Sequence, residues 1–137
     1  MTPSRRSTLA LPGTLVASAA VLGACNRNAP IVQESGADSI GRAGLAQRAD
    51  QIRAAGASLG WRMDSRGPGL MRGTLDLRSH QAVVDIPFDQ QRFMIRYVSS
   101  SNLNYDGTTI HRNYNSWVQN LQNAIITQSA SSSTARR

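Results

Sequence analysis

The chain has 137 residues, with 15 arginines and no lysine against 8 acidic residues, a formal net charge of +7. Its length allows one modest domain core. A single cysteine, Cys25, excludes any disulfide framework within the chain.

The first 24 residues divide into three parts. Arg5 and Arg6 give a positive start, residues 9–20 are modestly apolar, and Leu22-Gly23-Ala24 places small residues directly before Cys25. This is the pattern of a lipoprotein signal peptide, residues 1–24, with Cys25 as the first mature residue and the site of lipidation. The apolar run is interrupted by Pro12-Gly13 and falls short of the ~20 apolar residues that a spanning helix needs. Ser4-Arg5-Arg6-Ser7-Thr8-Leu9 also suits a twin-arginine export signal, although paired arginines serve a general leader equally well. Asn26 follows the cysteine where an aspartate would signal retention in the inner membrane. The expected location is therefore the periplasmic face of the outer membrane, with the membrane as a partner through Cys25.

Cleavage before Cys25 removes Arg5 and Arg6 and leaves 113 residues with 13 basic groups against 8 acidic. A basic cytosolic domain of this kind would suggest nucleic acid. An exported one does not, and its arginines suit lipid headgroups, peptidoglycan carboxylates or an envelope protein.

Residues 25–37 are polar, with Pro30 and Gly36, and read as a flexible tether. The single domain is expected over residues 38–128. Residues 39–59 read as a first helix, capped by Asp38 or Ser39, with Ile40, Leu45, Ala49, Ile52, Ala55 and Leu59 on one stripe and Gly60 as its stop. Gly41, Gly44 and Gly56 weaken it.

From Trp61 the period changes to two. Strands are expected at residues 61–65, 70–78, 82–88 and 92–99, separated by Gly67-Pro68-Gly69, by residues 79–81 and by Asp89-Gln90. Met71, Gly73, Leu75 and Leu77 face inward, as do Ala82, Val84 and Ile86, then Phe93, Ile95 and Tyr97. Short loops make this an antiparallel meander. Arg72, Arg78, Arg92 and Arg96 share its outer face with Asp76 and Asp85, which suits either an anionic ligand or cross-strand ion pairs. A second helix begins at Ile110, capped by Thr108 or Thr109, with Tyr114, Trp117, Val118, Leu121 and Ile125 on its apolar face. Residues 129–137 read as a disordered tail. The order αββββα predicts an α+β two-layer sandwich, a four-stranded meander with both helices on one face.

The densest concentration of chemistry lies between residues 99 and 117. Asn102, Asn104, Tyr105, Asp106, His111, Arg112, Asn113 and Asn115 form a candidate binding surface for a partner or small ligand. Asn102, Asn104, Asp106 and Gly107 imitate the start of a calcium loop. Asn113 stands where a bidentate carboxylate belongs, so no metal is expected. His80, His111, Asp85 and Asp106 could serve an acid–base hydrolase, but no nucleophile motif accompanies them and neither catalytic residues nor a cofactor are expected. Asn and Asp in such numbers also simply fix turns.

Four segments resemble a group of small bacterial lipoproteins. They are Arg78-Ser79-His80-Gln81-Ala82-Val83-Val84-Asp85-Ile86-Pro87-Phe88, Ile95-Arg96-Tyr97-Val98-Ser99-Ser100, Asn102-Leu103-Asn104-Tyr105-Asp106-Gly107 and Ile110-His111-Arg112-Asn113-Tyr114-Asn115-Ser116-Trp117-Val118. The likeness covers roughly residues 60–126, and the last segment is its most specific part. The resemblance implies an exported lipoprotein and brings no activity with it.

Overall fold

The structure, a computed structural model, describes residues 27–134 together with Ala10 and Gly13. The leader motif and Cys25 lie outside the described residues.

Among the described residues the fold is α+β, with two helices, a five-stranded antiparallel sheet and a two-stranded sheet. In chain order the elements are β1 (Asn28–Pro30), β2 (Glu34–Asp38), α1 (Leu45–Ser58), β3 (Trp61–Ser65), β4 (Leu70–Leu77), β5 (His80–Pro87), β6 (Arg92–Ser101), β7 (Thr109–His111) and α2 (Arg112–Thr134). The large sheet runs β2-β6-β5-β4-β3, and β1 pairs with β7.

The meander from β3 to β6 follows the period-two pattern. Met71, Leu75, Ala82, Val84, Ile86, Phe93 and Ile95 are buried along one face. They form one cluster with Ile52 and Ala55 of α1 and with Tyr114, Val118, Leu121 and Ile125 of α2. Leu77 departs from the pattern. It lies where β4 runs out into the turn, is 44% exposed, and is not a core residue. Tyr97 continues the inward alternation of Phe93 and Ile95, and a bulge at Val98, between Val84↔Tyr97 and Val83↔Ser99, turns Ser99 to the outer face.

Three segments differ from the sequence expectation. The stretch read as a flexible tether, residues 25–37, is tied into both sheets from Asn28 onward. Pro30 pairs with Thr109, and Glu34 to Asp38 pair with Arg96 to Arg92. Its residues have poor strand propensity, so the signal is weak in the sequence. The unpaired edge of β6 supplies the partner, and Glu34–Arg96 and Asp38–Arg92 ion pairs, each at 3.0 Å, fix the register.

The first helix starts at Leu45 rather than at residue 39. Gly44 is its N-cap and makes no side-chain capping bond, while Gly41 takes φ +71°. Buried Arg48 holds the extended approach in place. Its guanidinium donates to the carbonyls of Ile40, Gly41 and Gln90 and to Gln51 Oε1.

The C-terminal segment read as disordered continues α2 as far as Thr134. Ser129 falls four residues beyond Ile125 on the buried stripe. Its hydroxyl accepts from the Ile40 amide and donates to the Ile126 carbonyl. The start of α2 is also later than expected, because Ile110 belongs to β7 and Thr109 pairs with Pro30.

On the outer face the register aligns Asp64↔Arg72↔Asp85↔Arg96↔Glu34 across all five strands, an alternation of sign from one edge to the other. Arg72 and Asp85 form a two-pronged contact at 2.8 and 3.1 Å, and this bond and charge raise the guanidinium pKa. Such pairs oppose any slip of register.

Candidate functional site

The loop after β6 lies where the ends of β4, β5 and β6 meet β7 and the start of α2. Asn102 and Asn104 adopt φ of +61° and +53°, a left-handed geometry that asparagine tolerates better than most residues. Between them Leu103 turns inward and is 1% exposed, and its carbonyl accepts from the His111 amide. The alternation of asparagine and leucine is thus a backbone device that inserts one core side chain.

The polar groups of this loop mostly bond to the protein's own chain. Asn102 Nδ2 donates to the Ser79 hydroxyl at 3.0 Å. His80 Nδ1 lies 2.8 Å from the Asn102 carbonyl, so it carries the proton. His111 Nδ1 accepts from the Asn113 amide at 3.2 Å, which places the proton of a neutral ring on Nε2. The two rings stand 6.3 Å apart and are not hydrogen-bonded to each other. Asp85 is paired with Arg72 on the outer face and Asp106 with Thr108 and Thr109, so among the described residues neither is hydrogen-bonded to a histidine.

Asp106 is the centre of a turn. Its carboxylate accepts from the amides of Thr109 and Thr108 at 2.7 and 2.9 Å and from both threonine hydroxyls. The Thr109 amide, then the Thr108 amide, hold its pKa well below the usual carboxylate range. These four donors occupy the oxygens that a calcium loop would need. Among the described residues no group of three His, Cys, Asp or Glu side chains is placed to hold a metal ion.

The remaining candidates clamp the N-terminal segment. Asn115 acts like a piece of strand backbone: its Nδ2 donates to the Pro30 carbonyl at 2.9 Å and its Oδ1 accepts from the Val32 amide at 3.0 Å. Asn28 Nδ2 donates to the Asn104 carbonyl, and Gln33 Nε2 to the Tyr105 hydroxyl. The Arg112 amide donates to the Arg27 carbonyl at 2.7 Å. Tyr105 packs on Tyr97 with ring centres 4.5 Å apart, and Tyr97 meets Tyr114 edge-on at 5.5 Å.

The structure therefore brings Asn102, Asn104, Tyr105, Asp106, His111, Arg112, Asn113 and Asn115 together. Much of their hydrogen bonding closes the fold over residues 27–33. Sequence reasoning missed the other half of this clamp, Arg27, Asn28 and Gln33, because it treated that stretch as unstructured.

Open cavities occur at the opposite end of the sheet, about 23 Å away at ~3.3 Å per residue along β5. One of about 550 Å³ is largely apolar, between Leu45 and Ala49 of α1 and Pro68, Gly69 and Phe88. Beside it a polar cavity of about 570 Å³ is lined by Arg42, Gly44, Gln47, Gln90 and Gln91.

Among the described residues no helix is long and apolar enough to cross a membrane. Comparison with protein-family models, with curated proteins and with solved structures found no match.

Proposed function

We propose that this chain is a lipid-anchored module of the bacterial cell envelope that acts by binding. The observation that carries the reading is the run Leu22-Gly23-Ala24-Cys25, which follows a positive, modestly apolar leader. In this reading Cys25 is acylated, and two or more acyl chains on one residue give stable anchoring where a single chain is marginal. The two helices form one layer over the inner face of the sheet and leave the charged outer face open. Asn26 after the cysteine favours the outer membrane, with the domain in the periplasm.

Binding is favoured over catalysis by the kind of surface available. The groove of Leu45, Ala49, Pro68 and Phe88 is open and mostly apolar, with a polar neighbour beside it. Such a patch suits an apolar side chain of an envelope protein, framed by polar contacts. The loop of Asn102 to Asn115 is then a scaffold element rather than the recognition surface.

The test is metabolic labelling of cells that express the full chain, using an alkyne fatty acid, followed by mass measurement of the purified protein. The expected product begins at Cys25, carries the label and loses it in Cys25→Ser. An unlabelled protein, or one cleaved elsewhere, overturns the reading.

A further inference from the structure

Given the acylated Cys25 of the proposed function, on which this inference rests, the fold dictates how the domain meets the membrane. Only Asn26 separates Cys25 from Arg27, whose carbonyl is bonded to the Arg112 amide. From Asn28 the chain is paired with β7. Two residue steps reach at most ~7 Å. The domain cannot stand off on a tether; the end of the molecule around Arg27 is held within one or two residue lengths of the lipid surface.

That end is suited to such a surface. The β4–β5 turn brings Leu77 and Arg78 to it, and Ser79 of the same turn accepts a hydrogen bond from Asn102. Leu59, the C-cap of α1, lies two residues before Trp61, whose pairing with Leu75 puts it near the same end of the sheet. Leu59 and Leu77 are 40% and 44% exposed, two of the large apolar side chains that the described residues leave open to solvent. Arg27 and Arg78 are exposed at this end. The carboxylates on the adjoining segments are already engaged. Asp76 faces Arg62 and Gln81, and Asp106 is held by two amides and two hydroxyls.

We infer that the molecule docks end-on upon anionic phospholipid. Leu59 and Leu77 enter the headgroup layer, and Arg27 and Arg78 lie against its phosphates. Exposed apolar groups ringed by arginine are the chemistry of an interfacial surface. Arginines near an anionic surface attract it too weakly to bind a free domain firmly but strongly enough to orient one already tethered by its acyl chains. The cavities at the other end then point away from the membrane, towards the wall and soluble partners.

The test uses the full acylated protein in vesicles of phosphatidylglycerol and phosphatidylethanolamine that carry a headgroup nitroxide. Acylation consumes the native thiol, so an added cysteine is the single labelling site. Fluorophores are placed at Asn113→Cys, near the docking end, and at Gln90→Cys, at the far end. The expected result is loss of most emission at 113 and little loss at 90, with the contrast abolished by Leu77→Ser combined with Arg78→Glu. Vesicle-bound, acylated protein with equal quenching at both positions overturns the orientation alone. Protein that carries no acyl chain and does not float with vesicles overturns the anchoring and the orientation together.

Discussion

Tyr114 is fully buried beneath Tyr97, yet its hydroxyl has no hydrogen-bond partner among the described residues. A buried unsatisfied hydroxyl costs about 1–3 kcal/mol, whereas a phenyl ring of the same shape costs nothing of that kind. Tyr114→Phe is therefore expected to stabilise the domain by about 1 kcal/mol, or roughly 4 °C in Tm. Burial, reinforced by Tyr97 and Tyr105, pushes the phenol pKa up. A folded pKa raised above the unfolded value of about 10 means that this contribution is fully present below pH ~10 and is lost as pH rises beyond it. Thermal melts between pH 8 and 11 check both points. The wild type is expected to lose Tm more steeply than Tyr114→Phe at the alkaline end, and parallel curves would refute the assignment.

At the scale of elements, the clamp between the polar loop and the N-terminal segment makes the strongest demand on one side chain. Asn115 is the only described residue whose amide joins both Pro30 and Val32. Asn115→Ala removes two bonds of roughly 0.5–1.5 kcal/mol each. Loss of about 1–3 kcal/mol is expected, with hydrogen exchange rising first in residues 28–33 and not in β4 or β5. Uniform acceleration along the chain would mean that β1 does not open separately.

The same scale shows what the sequence disclosed. The meander strands, with their period-two apolar residues and glycine-proline turn, were legible because their signals are local. The apolar stripe of α2 was legible for the same reason. The start of α1 was not, because Arg48 looks like a surface residue in the helix pattern. Only the fold reveals that its guanidinium is buried among the carbonyls of Ile40, Gly41 and Gln90. Ser129 was hidden likewise. Its hydroxyl suggests a polar tail, but its position four residues after Ile125 places it on the buried stripe. The loop from Asn102 to Asn115 reads in the sequence as a candidate binding surface, and its bonds to the N-terminal segment, some 70 to 90 positions away, are not legible there.

Across the whole molecule, long-range register is the information that composition cannot carry. The alternating row from Asp64 to Glu34 is invisible in the linear sequence and appears only when five strands are aligned. Its last member belongs to β2, so the folding unit reaches back well before residue 38. β2 covers the edge of β6, and its Ser35 side chain bonds to Gln122 on α2. β1 closes over β7 in the same way. A fragment starting at residue 39 would expose the β6 edge along Arg92 to Arg96, an invitation to pair with other chains. It would also lose the Glu34 and Asp38 ion pairs and leave Ile31 and Ala37 out of the core. The fragment of residues 27–137 is accordingly expected to unfold in a single cooperative transition. The fragment of residues 39–137 is expected to melt without cooperativity or to aggregate. Calorimetry and sedimentation on the two fragments decide the point. A shorter fragment that stays monomeric and melts as sharply as the longer one would return residues 27–38 to the role of a tether, and with it remove the constraint that holds the domain against the lipid.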